Sequence, residues 1–303
     1  MMDGIEEYCT YLKTKGYTPG TIRWHSNHLK QFMTYLRRRN LDLIEVSPEN
    51  VITYLHNLTK RGLAIATRQA HLTAIRGLFS YLIIRKLIRT NPATEIELPK
   101  RKLLLPKALT QEEITQLLAV PDLKNPVGLR DRAILELLYS SGLRRQEVSN
   151  LNLNDFDMDR GYLRINDSKY FKDRVVPVGE AACKFIEAYL KLVRWWFLKD
   201  PKENALFLDS QKGHRLDAKT IYYIVKKTAL KSGLTKKISP HTIRHTMATH
   251  LLQNKADIRH IQAMLGHASA ATTEIYTYLD LGDLKQVYRR AHPRGRRDSD
   301  SNS

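Results

Sequence analysis

Residues 239–251 read SPHTIRHTMATHL, three histidines and an arginine in thirteen residues. Such a density of imidazole and guanidinium can hold a metal, clamp a phosphate, or do neither. Ser239 is a favourable N-cap and Pro240 sits where a first-turn proline is tolerated, so a helix starts here. His241, Arg244, His245 and Ala248 then fall at i, i+3, i+4 and i+7, a single helical face. Histidines four apart suit zinc, yet the metalloprotease pattern has a glutamate after the first histidine, where this chain has Thr242. An arginine on the same face also repels a cation, which weighs against a metal. Two readings remain: an anion-binding face carried by His241 and Arg244, or an ordinary helix in which His245 or His250 fills the core. Three other stretches carry reactive side chains. They are LLYSSGLRRQEV, with Arg144 and Glu147; DSKYFKDR, with Lys169 and Lys172; and LGHASAATTEIY, with His267 nine residues before Tyr276.

The charge of the whole chain favours the anion. Its 303 residues are 42% hydrophobic, enough for two cores, and carry a formal net charge of +19. Residues 1–98 hold 14 Lys+Arg against 8 Asp+Glu, a balance of +6, which leaves +13 for the remainder. Both halves are basic, as expected of a protein that faces nucleic acid along its length. No apolar run approaches the roughly 18 residues that span a bilayer. The opening MMDGIEEYCT is acidic and lacks an apolar stretch, unlike a secretory leader. Cys9 and Cys183 are the only cysteines, so neither a disulfide framework nor a four-cysteine zinc site is available. A reducing, cytoplasmic, nucleoid-associated setting is the expectation.

Helices must position these groups. TIRWHSNHLKQFMTYLRRRN places Ile22, Leu29, Phe32, Met33 and Leu36 on one stripe and ends in arginines that suit a helix C-terminus. SPENVITYLHNL restarts with Ser47 as cap and Pro48 at N1, followed by Val51, Ile52, Leu55 and Leu58. A third helix is predicted from Thr67 to Arg89 through Leu72, Ile75, Leu78, Phe79, Leu82 and Ile83, stopped by Asn91-Pro92. The stretch ELPKRKLLLPKALT, with Pro99, Pro106 and a basic run, reads as a linker. Beyond it Thr110 and Glu113 form a capping box, and GLRDRAILELLYSSG is a helix stopped at Gly142 by a left-handed cap. YLRIN and DRVVPV are short β runs flanking DSKYF, a hairpin. Helices are predicted again over 179–199, 217–231, 239–253, 257–265, 272–279 and 282–291, before a polar tail, PRGRRDSDSNS.

The order and spacing of Arg144, the lysine-bearing turn, the HTIRH stretch, His267 and Tyr276 resemble the tyrosine recombinase family, the phage-integrase and Xer-type enzymes. The resemblance runs over essentially the whole chain. It implies a mainly α fold with a small antiparallel β-sheet in the catalytic domain, arranged as a two-domain, C-shaped DNA clamp. The domains would be a helical, SAM-like core-binding domain over 1–98, a linker over 99–106, and a catalytic domain with a C-terminal docking helix over 107–293. A disordered tail over 294–303 completes the set. By the same resemblance Arg144 is the first family arginine and Glu147 the acidic residue that supports it. His241 and Arg244 form the HxxR pair, His267 fills the His/Trp position, and Tyr276 is the nucleophile that forms the 3′-phosphotyrosyl intermediate. The family often shows GKG at the hairpin turn. Here both glycines are replaced, and Lys169 rather than Lys172 aligns with the lysine.

Elementary chemistry fits these roles. Two guanidinium forks match the nonbridging oxygens of a phosphodiester that gathers charge under attack. A tyrosine with an ordinary pKa of about 10 needs nearby cations, or an acceptor such as His241, to attack as phenolate. A lysine whose pKa is lowered by neighbouring cations can protonate the leaving 5′ oxygen, and His267 can donate a hydrogen bond to the phosphate. The reaction so implied needs neither metal, ATP nor other cofactor. The implied partners are double-stranded DNA with a specific site, and further copies of this chain in a tetrameric synapse. An accessory recombinase or directionality protein is a further partner the resemblance allows. The segment DLKQVYRR offers Leu284, Val287 and Tyr288 as a stripe too short to stand alone, and the expectation is that it docks in trans on a neighbouring protomer. Two alternatives stand beside recombination: a type IB topoisomerase, and a catalytically idle DNA-binding accessory protein.

Overall fold

The computed structural model describes residues 3–99, 108–166, 173–266 and 281–295. Lys169, Lys172, His267 and Tyr276, the predicted helix over 272–279, the linker from residue 100 and the tail from 296 lie outside the described residues. The chain divides into two compact units, Met1–Leu104 and Leu105–Ser303.

Among its described residues the first unit holds four α-helices, α1 (Asp3–Thr14), α2 (Pro19–Arg37), α3 (Pro48–Lys60) and α4 (Ile65–Ile84). Local chemistry starts two of them, α3 at the predicted Ser47-Pro48 and α2 two residues before the predicted start at Thr21. Thr18 accepts the Thr21 amide ahead of Pro19, and Asn50 accepts the Ser47 amide at 2.8 Å ahead of α3. Leu29, Phe32, Met33 and Leu36 of α2 pack with Val51, Leu55 and Leu58 of α3 and with Leu72, Ile75, Leu78, Phe79 and Leu82 of α4. Helix α1 was not anticipated. Its Ile5, Tyr8 and Leu12 are buried, although acidic and polar residues between them blur the period. Helix α4 stops at Ile84 rather than Arg89, because Lys86 takes a left-handed conformation (φ 58°). Ile52 and Ile83, expected on the apolar stripes, face solvent.

The core of this unit encloses imidazoles. Tyr54 Oη lies 3.0 Å from His71 Nδ1, and the His71 ring meets that of His28 edge-on. His71 is 1% exposed, and burial, with the neighbouring His28 second, lowers its pKa to about 4. Unfolded, the same imidazole would take up a proton near pH 6.5. Between those values the unfolded chain binds a proton that the folded chain refuses, so stability is full above about pH 6.5 and declines as pH falls toward 4. At pH 5 the expected loss is on the order of 2 kcal/mol from His71 alone. Urea unfolding at pH 7.5 and pH 5 measures it, and a His71→Gln variant should show a flatter profile.

The second unit is built around α6 (Pro126–Ser141), which is apolar on all sides at Ala133, Ile134, Leu135, Leu137 and Leu138 and therefore central. Helix α5 (Gln111–Ala119) precedes it, opened by the predicted reciprocal bonds between Thr110 and Glu113. Gly142 ends α6 in the left-handed conformation (φ 59°). Helix α7 (Arg145–Asn150) follows, and then an antiparallel sheet in the order β1 (Phe156–Asp157), β2 (Tyr162–Ile165), β3 (Arg174–Pro177). Leu163 pairs with Val176 and Ile165 with Arg174, so these four share the inward face. The predicted helix over 179–199 breaks at Val193 into α8 (Glu180–Leu192) and α9 (Arg194–Phe197). The remaining helices are α10 (Ala218–Lys231), α11 (Pro240–Gln253), α12 (Ile258–Leu265) and α13 (Leu281–Ala291). α8 and α11 pack on α6.

Helix α13, expected to dock in trans, packs here on its own unit. Leu284, Tyr288 and Ala291 are buried against this unit's own core, with Val287 partly buried beside them. Tyr288 Oη lies 2.8 Å from Ser140 Oγ, and Asn254 donates to the Ala291 carbonyl. The buried carboxylate of Glu136 pairs with Arg294 as well as Arg132. The apolar stripe that could not stand alone in water thus finds its groove within the same chain, and polar bonds at both ends of that groove hold it in register.

Candidate active site

The loop from Gly142 to the start of α7 brings two arginines to one place. Arg244 projects from α11, whose start is fixed by Ser239 accepting the Thr242 amide at 3.2 Å with Pro240 behind it. Arg244 is 5% exposed, and its Nη1 donates to the Gly142 carbonyl at 2.7 Å and its Nη2 to the Leu265 carbonyl at 2.5 Å. Burial first, and then the neighbouring cations Arg144 and Arg174, pull its pKa down to about 10 against the opposing pull of Glu147. It remains charged at neutral pH. Arg144 caps α7, with its side chain about half open to solvent at 46%.

Glu147 is the hub. Its Oε1 accepts Arg144 Nη1 at 2.9 Å, and its Oε2 accepts both the Arg144 amide at 2.7 Å and Arg174 Nη2 at 2.9 Å. Burial alone would raise its pKa, but Arg174 and Arg144 outweigh that and hold the carboxyl below the usual range. The last turn of α12 supplies the other acceptors. Arg174 Nε donates to the Met264 carbonyl at 3.0 Å, Arg244 to Leu265, and Arg144 Nη2 reaches Gly266 at 3.5 Å. Three arginines from three elements therefore meet three successive carbonyls. A helix C-terminus, with orphan carbonyls and a negative dipole end, can hold that much like charge close together.

Of the residues expected at the site, Arg144, Glu147 and Arg244 come together, and Gly142 and Gly266 lend the carbonyls that orient the arginines. His241 lies one turn before Arg244 on the same face of α11 and is exposed. His245 is half-buried, while His250 belongs to the core, its Nδ1 2.8 Å from Tyr139 Oη and its Nε2 2.8 Å from the Leu109 carbonyl. Among the described residues no group of three or more His, Cys, Asp or Glu converges as a metal site would require. Arg174 was missed by sequence reasoning. Its signal was the alternation of DRVVPV, which turns Arg174 and Val176 to the same inward face.

A second basic surface lies beside α7. Arg145 stands over the Tyr222 ring of α10 at 5.6 Å, Lys226 over the same ring, and Lys219 over Tyr223, which is 57% exposed. Cations interleaved with half-buried and exposed aromatic rings suit a phosphate backbone.

Comparisons with known proteins identify the family. Residues 107–281 match the phage integrase family, and residues 5–86 match the phage integrase N-terminal SAM-like domain. Tyrosine recombinase XerC of Pelotomaculum thermopropionicum is 41% identical over 303 residues, 96% of this chain and 98% of the relative. Tyrosine recombinase XerD of Staphylococcus haemolyticus is 33% identical over 96% of this chain and 98% of its own length. Among solved structures, the XerH site-specific recombinase bound to its palindromic difH substrate matches with a TM-score of 0.71 at 24% identity. That match covers 93% of this chain and 82% of the other, a likeness of fold. Family models match residues 5–86 and 107–281 and full-length relatives cover 96% of the chain, so the chain belongs to the phage integrase family of tyrosine recombinases, enzymes that transfer DNA strands.

Proposed function

We propose that this recombinase cuts and rejoins DNA at a specific duplex site through a covalent 3′-phosphotyrosyl intermediate on Tyr276. The observation that carries the reading is the convergence of Arg144 and Arg244 on the adjacent carbonyls of Gly266 and Leu265, directly before the segment that bears His267 and Tyr276. Arg144 and Arg244 bind the nonbridging oxygens of the scissile phosphate, and Glu147 orients Arg144. Tyr276 Oη attacks phosphorus while His241 accepts its proton and His267 donates to a phosphate oxygen. Lys169 gives a proton to the 5′ oxygen as the P–O bond breaks. A 5′ hydroxyl from a second strand then attacks the phosphotyrosyl bond and expels the tyrosine. Because that bond keeps the energy of the original phosphodiester, joining needs no ATP.

Residues 1–98 serve as the core-binding domain and 107–293 as the catalytic domain, joined by the basic linker 99–106. The cation and aromatic surface of α7 and α10 lies along the DNA backbone beside the scissile phosphate. Four copies assemble on two sites and exchange strands through a Holliday junction, whether the outcome is integration, excision or resolution, and an accessory recombinase or directionality protein is a partner such a reaction allows. Nothing observed favours a topoisomerase or an idle binding protein.

A nicked suicide substrate tests the reading, since loss of the short 5′ fragment traps the covalent adduct. Absence of any adduct at a bound site would leave the idle-binder reading standing. The same substrate with sulfur as the leaving 5′ atom needs less protonation, so it is expected to restore cleavage to Lys169→Ala and to do little for Lys172→Ala. Preferential rescue of Lys172→Ala would move the general acid to Lys172.

A further inference from the structure

We propose that Arg174 is a positioning residue for strand cleavage, which locks Glu147 against Arg144 and fastens the last turn of α12 so that the Arg144 and Arg244 forks share one orientation. The proposal rests on the reading of those two arginines as the phosphate clamp. Arg174 opens β3 on the inward face, in register with Ile165 and beside Leu163 and Val176, where an aliphatic side chain would satisfy packing. Its side chain is only 4% exposed. A buried guanidinium is retained only where its bonds are good, and those of Arg174 run to the site at both ends, Nη2 to Glu147 Oε2 and Nε to the Met264 carbonyl. Through one planar group it thus ties three pieces of the machinery. These are the strand that follows the turn with both candidate lysines, the carboxylate that holds Arg144, and the helix end three residues before His267.

The fit extends to the neighbouring residue. A Cβ at position 266 would lie 3.0 Å from Arg174 Nη1 and 3.1 Å from Cζ, so glycine there makes room for the guanidinium as well as for its own left-handed turn (φ 62°). Among the described residues the charged groups around Glu147 are Arg144 from its own helix cap, Arg174 from β3 and Arg244 from α11. Of these, the Arg144 side chain is 46% exposed, whereas that of Arg174 is buried and bonded at both ends. Without Arg174 the carboxylate loses its fixed partner, and Arg144 loses the anchor that aims it.

Arg174→Met in the full-length protein is expected to bind a single DNA site about as well as wild type and to cleave the suicide substrate roughly 30- to 100-fold more slowly, the scale on which misplacement of a reacting group acts. Arg174→Lys, which keeps the charge but can reach only one of the two acceptors, should fall between them. Two readouts separate positioning from mere packing. In a Glu147→Gln background the same Arg174→Met change should cost far less, because the two residues act as a unit. The Met variant should also lose more cleavage than wild type as pH is lowered, because Glu147 is no longer held ionised by its buried partner. An equal loss in both backgrounds with an unaltered pH profile, or a loss that follows DNA affinity, overturns the proposal. If the Met variant does not fold, Arg174→Lys decides by the same two readouts. A wild-type protein that forms no adduct in the parallel assay defeats the clamp reading itself and is told apart in that way.

Discussion

Tyr276→Phe is expected to abolish the covalent protein–DNA adduct while leaving affinity for a single site nearly unchanged. The substitution removes one oxygen and no charge, so the field of Arg144, Arg174 and Arg244 that draws in the phosphate stays as it was. What disappears is the oxygen proposed to form the phosphotyrosyl bond. The free phenol has a pKa of about 10, and attack at neutral pH depends on the nearby cations, which have no phenolate to stabilise once Oη is gone. Denaturing electrophoresis after incubation with the nicked substrate reads the adduct, and a retardation assay reads binding. An adduct of ordinary yield in the Phe variant would assign the nucleophile elsewhere.

Arg244→Lys should slow cleavage by roughly 10²- to 10³-fold, the range seen when one preorganised donor to a developing oxyanion is removed. The conservative charge does not rescue it, for two reasons. Arg244 bridges the Gly142 and Leu265 carbonyls with separate nitrogens, whereas an ammonium at the end of a flexible stem meets one of them and leaves the other buried and unpaired. Burial together with Arg144 and Arg174 already draws the guanidinium down to about 10, and the same surroundings acting on a lysine pull it toward the neutral form. Single-turnover cleavage at saturating protein, compared at pH 7 and pH 8.5, tests both points, since a partly neutral lysine would lose still more activity at the higher pH. Cleavage within a few-fold of wild type at both would mean that Arg244 serves the fold and not the phosphate.

How much of this was legible in the sequence depends on the range of the interactions concerned. Features governed by a few neighbouring residues were plain: Ser239-Pro240 opening α11, Thr110 with Glu113 opening α5, Gly142 stopping α6, and Glu147 one turn from Arg144. Features decided by tertiary packing were not. Helix α1 carries only Ile5, Tyr8 and Leu12 inward, too sparse a stripe among acidic and polar residues to stand out before its partners are known. Arg174 reads as one more basic residue of a basic loop until pairing with Ile165 turns it toward Glu147. The stripe of Leu284 and Tyr288 announced that α13 must dock. The groove that receives it here, closed by Ser140, Asn254 and Glu136, is assembled from distant parts of the chain and has no local signal.

The three successive carbonyls of Met264, Leu265 and Gly266 also bear on how this enzyme can change over generations. Each faces an arginine from a different element, so the length of α12 matters as much as its side chains. A substitution within Ile258–Leu265 alters packing by degrees, but one inserted or deleted residue turns every later carbonyl by about 100° around the helix axis. All three arginines would then lose their acceptors together. The segment is thus open to drift in residue identity and closed to drift in length, and natural variation in loop size must fall elsewhere in the chain.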